Sequence, residues 1–174
     1  MTAGTNKANQ IERDHYHYIV QGDGSVTLGK YKPEDNLNCK DGKYAAHCGG
    51  GNTGAIGIAL SGAPNTNYPI NRQQLEAMCK LAASLSIKYG IRVTSKTIIS
   101  HAEFGNAHPN TTSYGKVDIN RLPCVGRRWR TRCRLQRRIH GQGHGRLHRT
   151  QKGYGAMQRR RSYAYYSEVR THPQ

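Results

Sequence analysis

The stretch NTGAIGIALSG, Asn52 to Gly62, holds a continuous apolar run, Ala55-Ile56-Gly57-Ile58-Ala59-Leu60, with no polar residue to turn toward water. A short run without alternation predicts a central strand buried on both faces. The next pattern has the helical period: Leu75, Met78, Ala82, Leu85 and Tyr89 share one face of a helix predicted over Arg72 to Tyr89. Its ends are marked. Asn71 can cap it while Gln74 reaches back in a capping box, Ile70 and Leu75 form a hydrophobic staple, and Gly90 suits a left-handed stop. A strand buried on two sides beside an amphipathic helix places the chain in the α/β class. Met78 and Tyr89 are read as core, and nothing on this helix suggests chemistry.

Upstream, His15-Tyr16-His17-Tyr18-Ile19-Val20 alternates and is rich in aromatic and β-branched residues. It predicts a strand that turns through Gly22-Asp23-Gly24 into a second strand, Ser25 to Leu28. Alternation puts Tyr16 and Tyr18 on one face and His15 and His17 on the other. The first 14 residues show no apolar period and read as an exposed arm. Gly29 to Gly51 is polar and glycine-rich, a long loop in which His47 precedes the flexible-looking run Gly49-Gly50-Gly51.

Downstream, Ile91 to Ser100 is read as a return to the sheet. The segment IISHAEFGNAHPNTTSYGKVDINRLP, Ile98 to Pro123, delivers His101 from a strand end into a loop. Farther on, Lys116 and Asp118 alternate onto one side. Imidazole and carboxylate are both zinc ligands, and an ammonium beside them can act as an electrophilic partner. The plainer alternative from spacing alone is a solvated histidine and a helix-capping aspartate.

Several of these stretches together resemble one family. ISHAEFG followed by GKVDINRLP, YHYIVQGDGSV, NTGAIGIALSG and the Ala46-His47 loop are similar to segments of the N-acetylmuramoyl-L-alanine amidases of the phage-lysozyme and peptidoglycan-recognition superfamily. The likeness covers roughly Thr2 to Val125. It implies a mixed central β-sheet flanked by helices and one Zn2+ held by two histidines and a third ligand. It also implies hydrolysis of the amide between N-acetylmuramic acid and L-alanine in peptidoglycan. Carried onto this chain, the metal ligands are His101 and Asp118, and the catalytic residues are Tyr16 and Lys116. His47 and Asn52 become substrate contacts, and Glu103 a carboxylate supporting His101. The family's first zinc histidine lies in a context like HWTAGT, whereas this chain opens Met1-Thr2-Ala3-Gly4-Thr5. The resemblance therefore implies a missing first strand, weak zinc binding and impaired hydrolysis. His15 or His17 could substitute, although both are expected to face away from Tyr16.

Charge divides the 174 residues unevenly. Residues 1–125 carry 13 Lys+Arg against 9 Asp+Glu, and residues 126–174 carry 14 against 1, so most of the formal +17 belongs to the second segment. The expected organisation is an amidase-like domain over 1–125 and a disordered, Arg-rich tail over 126–174 without helical or strand period. The tail has three readings: an out-of-frame translation, a basic arm for anionic wall polymers or nucleic acid, or a small wall-binding module with too little apolar material for a core. No apolar run approaches the roughly 18 residues that span a bilayer, and no signal peptide is evident, so the expected site of synthesis and residence is the cytoplasm, with action on the wall after release. Five cysteines without a CxxC pair read as reduced thiols, with Cys79 in the core. Cys39 and Cys48 remain open to pairing or to metal beside His47.

Two functions of different kind follow. One is a zinc-dependent, endolysin-like peptidoglycan hydrolase that lyses cell walls. The other is a non-catalytic binder of peptidoglycan or, through the tail, of nucleic acid.

Overall fold

The computed structural model describes residues 7–62 and 69–116, together with the backbone of 163–168. Strands β1 (Tyr18–Val20) and β2 (Val26–Leu28) form an antiparallel hairpin, and β1 also runs parallel to β3 (Ala55–Leu60). With β4 (Ile98–Ser100) and β5 (Tyr163–Glu168) they make a five-stranded mixed sheet in the order β2-β1-β3-β5-β4. Helices α1 (Gln10–His15), α2 (Arg72–Tyr89) and α3 (His101–Ala107) flank it, as the α/β expectation requires.

All six residues of β3 are buried. Its two faces differ in the way alternation dictates. Ile56, Ile58 and Leu60 join Leu75, Met78, Cys79, Ala82, Leu85 and Tyr89 of α2 in the main core. The opposite face is made of Ala55, Gly57 and Ala59. These small side chains leave room for other groups, and that room becomes the site.

Helix α2 has the expected bounds, and Asn71 caps it by accepting from Gln74 N–H at 2.8 Å. The expected capping box is corrected in its second half. The Gln74 side chain does not return to the cap but donates to the carbonyls of Val20 (2.8 Å) and Ser61 (2.7 Å), which are buried strand-end acceptors. The Val20 carbonyl also accepts from Ser61 N–H at 3.0 Å, so the Gln74 amide ties the ends of β1 and β3 together, and leaving the buried Ser61 carbonyl unpaired would cost more than an exposed cap contact contributes. At the other end Gly90 adopts φ +64°. Gly90→Ala is expected to destabilise the fold by about 1 kcal/mol, measured by urea unfolding, because a Cβ disfavours the left-handed conformation.

Four segments differ from expectation. The arm contains α1, closed by a capping box between Asn9 and Glu12. Glu12 is buried and accepts from Ser61 Oγ at 2.8 Å, which ties the helix to the end of β3. Because α1 runs through His15, the expected strand over 15–20 is shortened to Tyr18–Val20. The return over 91–100 is likewise reduced to Ile98–Ser100, since Thr94 and Thr97 form a hydrogen-bonded turn before it. In the tail, read from the sequence as without strand period, Tyr163–Glu168 pairs parallel to both β3 and β4. YAYYSE is a run dense in tyrosine, a residue that favours strands. The remainder of the tail, 126–162 and 169–174, lies outside the described residues.

No helix among the described residues is long and apolar enough to cross a membrane. Cys39, Cys48 and Cys79 are free thiols, so the Cys39–Cys48 pairing is not made, and Cys79 lies in the core as expected. Cys124 and Cys133 lie outside the described residues.

Candidate functional site

The small-residue face of β3 receives side chains from four parts of the chain: Tyr16 and His17 before β1, His47 and Cys48 from the long loop, His101 from α3, and Ser113 from the loop after it, with the exposed Lys116 near enough to act on His101 by its charge. Ala59 packs with Tyr16, and Ala55 with Cys48 and Phe104. Gly57 lies directly under the His47 ring, so close that a Cβ there would overlap it.

His17 is locked. Its Nδ1 accepts from Gly57 N–H at 2.9 Å, so the ring proton sits on Nε2 and is donated to Asn36 Oδ1 at 3.0 Å. With both nitrogens engaged and 1% of its surface exposed, His17 is not placed to take over as a metal ligand. Burial is the main cause that lowers its pKa to about 4, partly opposed by the Asn36 hydrogen bond and by Asp35 and Glu34. His15 is exposed at the end of α1, bonded through Nδ1 to Ile11 O at 2.8 Å.

The depressed His17 pKa sets an acid limit. The unfolded chain takes up this proton near pH 6.5 and the folded one only near 4, so stability is full above 6.5 and falls as pH drops through that window. Unfolding in urea at pH 5 is expected to show about 2 kcal/mol less stability from this residue than at pH 8. A His17→Gln variant should lose that part of the slope.

Asn36, fully buried, is the hub that sequence reasoning missed. Besides His17 it accepts from Ala45 N–H (2.9 Å) and donates to the carbonyls of Ala45 and Asn52 (both 3.0 Å), fastening the long loop to the sheet. Nothing in PEDNL distinguishes it from an ordinary turn asparagine. Asn52, expected to touch substrate, commits its side-chain oxygen to Cys48 N–H at 2.7 Å and shapes the same loop.

His47, expected to contact substrate, is 3% exposed. Its ring lies 6.2 Å from Tyr16 in near-parallel stacking and 5.4 Å from His17 edge-on. Burial, then the neighbouring His17, holds it well below the usual histidine range. Tyr16 is buried against this ring.

His101 does not sit in a loop. Ser100 and Glu103 form a capping box, Ser100 Oγ accepting from Glu103 N–H at 3.1 Å, so His101 is the first residue of α3. Glu103, expected to support His101, uses its carboxylate here to accept from Ser100 N–H at 2.9 Å. His101 Nε2 lies 2.8 Å from Ser113 Oγ. Burial and, secondarily, Lys116 lower its pKa to about 4, so the imidazole is neutral near pH 7. Lys116 is exposed and close enough for its charge to be felt at that ring. Tyr16, His47, His101 and Lys116 are thus gathered around one face, while Asp118 lies outside the described residues.

Among the described residues no group of three or more His, Cys, Asp or Glu side chains could hold a metal ion. With His17 doubly bonded, these residues do not by themselves complete a zinc site.

No curated protein and no solved structure matches the chain. A family model, N-acetylmuramoyl-L-alanine amidase, matches residues 1–116, which spans every side chain of the site described above. The chain belongs to the N-acetylmuramoyl-L-alanine amidase family.

Proposed function

We propose that this protein cleaves the amide joining N-acetylmuramic acid to L-alanine in peptidoglycan, as a wall-lysing hydrolase of endolysin type. The observation that carries the reading is the juxtaposition of neutral His101 with Lys116, beside Tyr16 and His47, within the segment matched by the amidase family. Amide hydrolysis needs a group that stays unprotonated at neutral pH and a cation for the developing oxyanion. His101 serves the first need and Lys116, with Tyr16, the second; an oxyanion donor of this kind is worth roughly 3 kcal/mol. Zinc dependence belongs to the proposal too: with the ion bound, the His101 lone pair and Asp118 would hold it, and the unprotonated imidazole would then serve as a ligand in place of a base. Synthesis in the cytoplasm and action on the wall after release is the matching route.

Digestion of purified sacculi tests this directly. Release of peptides with a free N-terminal L-alanine, without new reducing sugar ends, is the expected product pattern. Reducing ends instead would mean a glycosidase.

A second reading is a peptidoglycan binder without catalysis. In that case metal-free protein retains muropeptides on a column and releases no alanine-headed peptide. Retention of DNA that weakens steeply with salt would place the activity in the basic tail.

A further inference from the structure

Ser113 is fully buried, although the loop that carries it, from His108 to Lys116, is otherwise largely exposed. Its backbone is held by contact: a Cβ on Gly105 of α3 would overlap the Ser113 carbonyl. The neighbouring residues are held from the other side, since Gly49 and Gly50 approach Thr112 and Thr111 so closely that neither has room for a side chain. Ser113 therefore has little freedom of place, and its hydroxyl has little freedom of role.

The Oγ has three neighbours. Gly49 O lies at 2.9 Å, Cys48 Sγ at 3.4 Å and His101 Nε2 at 2.8 Å. A serine hydroxyl owns one proton and two lone pairs. A carbonyl oxygen can only accept, so the proton goes to Gly49 O. Toward the other two neighbours Oγ must accept, from the Cys48 thiol and from the imidazole. The proton of neutral His101 is then on Nε2, and its lone pair is on Nδ1.

We propose that Ser113 is a positioning residue that fixes His101 in the Nε2–H tautomer, so that Nδ1 is the nitrogen offered to the reaction. The Gly49 carbonyl is the anchor of this arrangement, because it dictates the direction of the serine proton. The long loop thus sets the chemistry of a residue on α3 through a single hydroxyl. The tautomer is a property of the folded chain whatever it catalyses; its use in catalysis rests on the amidase reading.

The test uses the full chain with isotope-labelled histidine, read by long-range proton–nitrogen correlation at pH 7.5. His101 is expected to show a protonated Nε2 and an unprotonated Nδ1. Ser113→Ala is expected to convert this to a mixture of both tautomers in exchange, and Ser113→Thr, which keeps the hydroxyl, to restore the single form. On sacculi, Ser113→Ala is expected to lower kcat about 10- to 100-fold with KM within about twofold, and Ser113→Thr to recover most of it. A wild-type His101 protonated on Nδ1 overturns the proposal even if no variant folds, as does an unchanged tautomer in Ser113→Ala. A wild type with the expected tautomer and no release of alanine-headed peptides overturns the amidase reading and leaves the Ser113 assignment standing.

Discussion

His101→Ala is expected to reduce the release of alanine-headed peptides from sacculi by at least about a hundredfold, the scale on which single transition-state contacts act. The structural loss should be much smaller. Among the described residues the imidazole makes one hydrogen bond, to Ser113 Oγ, and such a bond contributes about 1 kcal/mol net, with a further cost if the serine is left unpaired. The Gly49 carbonyl and the Cys48 thiol still engage that hydroxyl, so α3 and its capping box should persist. The variant should therefore melt cooperatively within a few degrees of the parent while turnover disappears. His15→Ala, at an exposed histidine on α1, is the control and should leave both unchanged. Full activity in His101→Ala would remove the residue on which the proposed function is built.

The parts of the fold legible in the sequence are those where one local pattern decides. AIGIAL has no polar residue, so it can only be a strand covered twice; the helix over 72–89 carries its own cap, staple and stop, and its bounds came out unchanged. Even there, Gln74 was assigned by its distance along the chain to the cap, whereas two carbonyls far away in sequence hold it. Helix α1 is too short for an apolar period, although its Asn9-x-x-Glu12 signature was present. The Ser100-x-x-Glu103 box was equally present, and it decides that His101 opens a helix instead of entering a loop.

The site was legible only as a set of residue types. That Tyr16, His47, His101 and Lys116 gather came from likeness to a family. Their states did not, because each is set by a partner distant in sequence: His17 by Gly57 and Asn36, and His101 by Ser113. The glycines were the most misleading letters. Gly49-Gly50 reads as flexibility, yet in the structure both positions lack room for a side chain, and a sequence writes mobility and close approach with the same residue.

Gly57 makes that distinction measurable, and Gly57→Ala is expected to destabilise the protein by about 3 kcal/mol or more, at the upper end for an inserted methyl. The φ at Gly57 is not the cause, since a residue within β3 has extended backbone that alanine also adopts. The cause is the His47 ring, whose Cβ would stand 2.8 Å from the added carbon, with ring atoms closer still. Nor can the ring withdraw cheaply. Tyr16 stacks on it, His17 meets its edge, and the loop behind it is fastened through Asn36 to Ala45 and Asn52. Moving β3 is no easier, because Gly57 both accepts from His17 N–H at 3.1 Å and donates to His17 Nδ1, while Ile56 and Ile58 are seated in the core under α2. A methyl at Gly57 thus presses on the one face of the sheet that was kept small, and urea unfolding should show a lower midpoint with an unchanged slope. The double variant His47→Gly with Gly57→Ala isolates the contact: removing the ring should make the added methyl cost less than about 1 kcal/mol relative to His47→Gly alone. If the alanine costs the same with and without the ring, the packing of His47 over β3 is not what holds this face together.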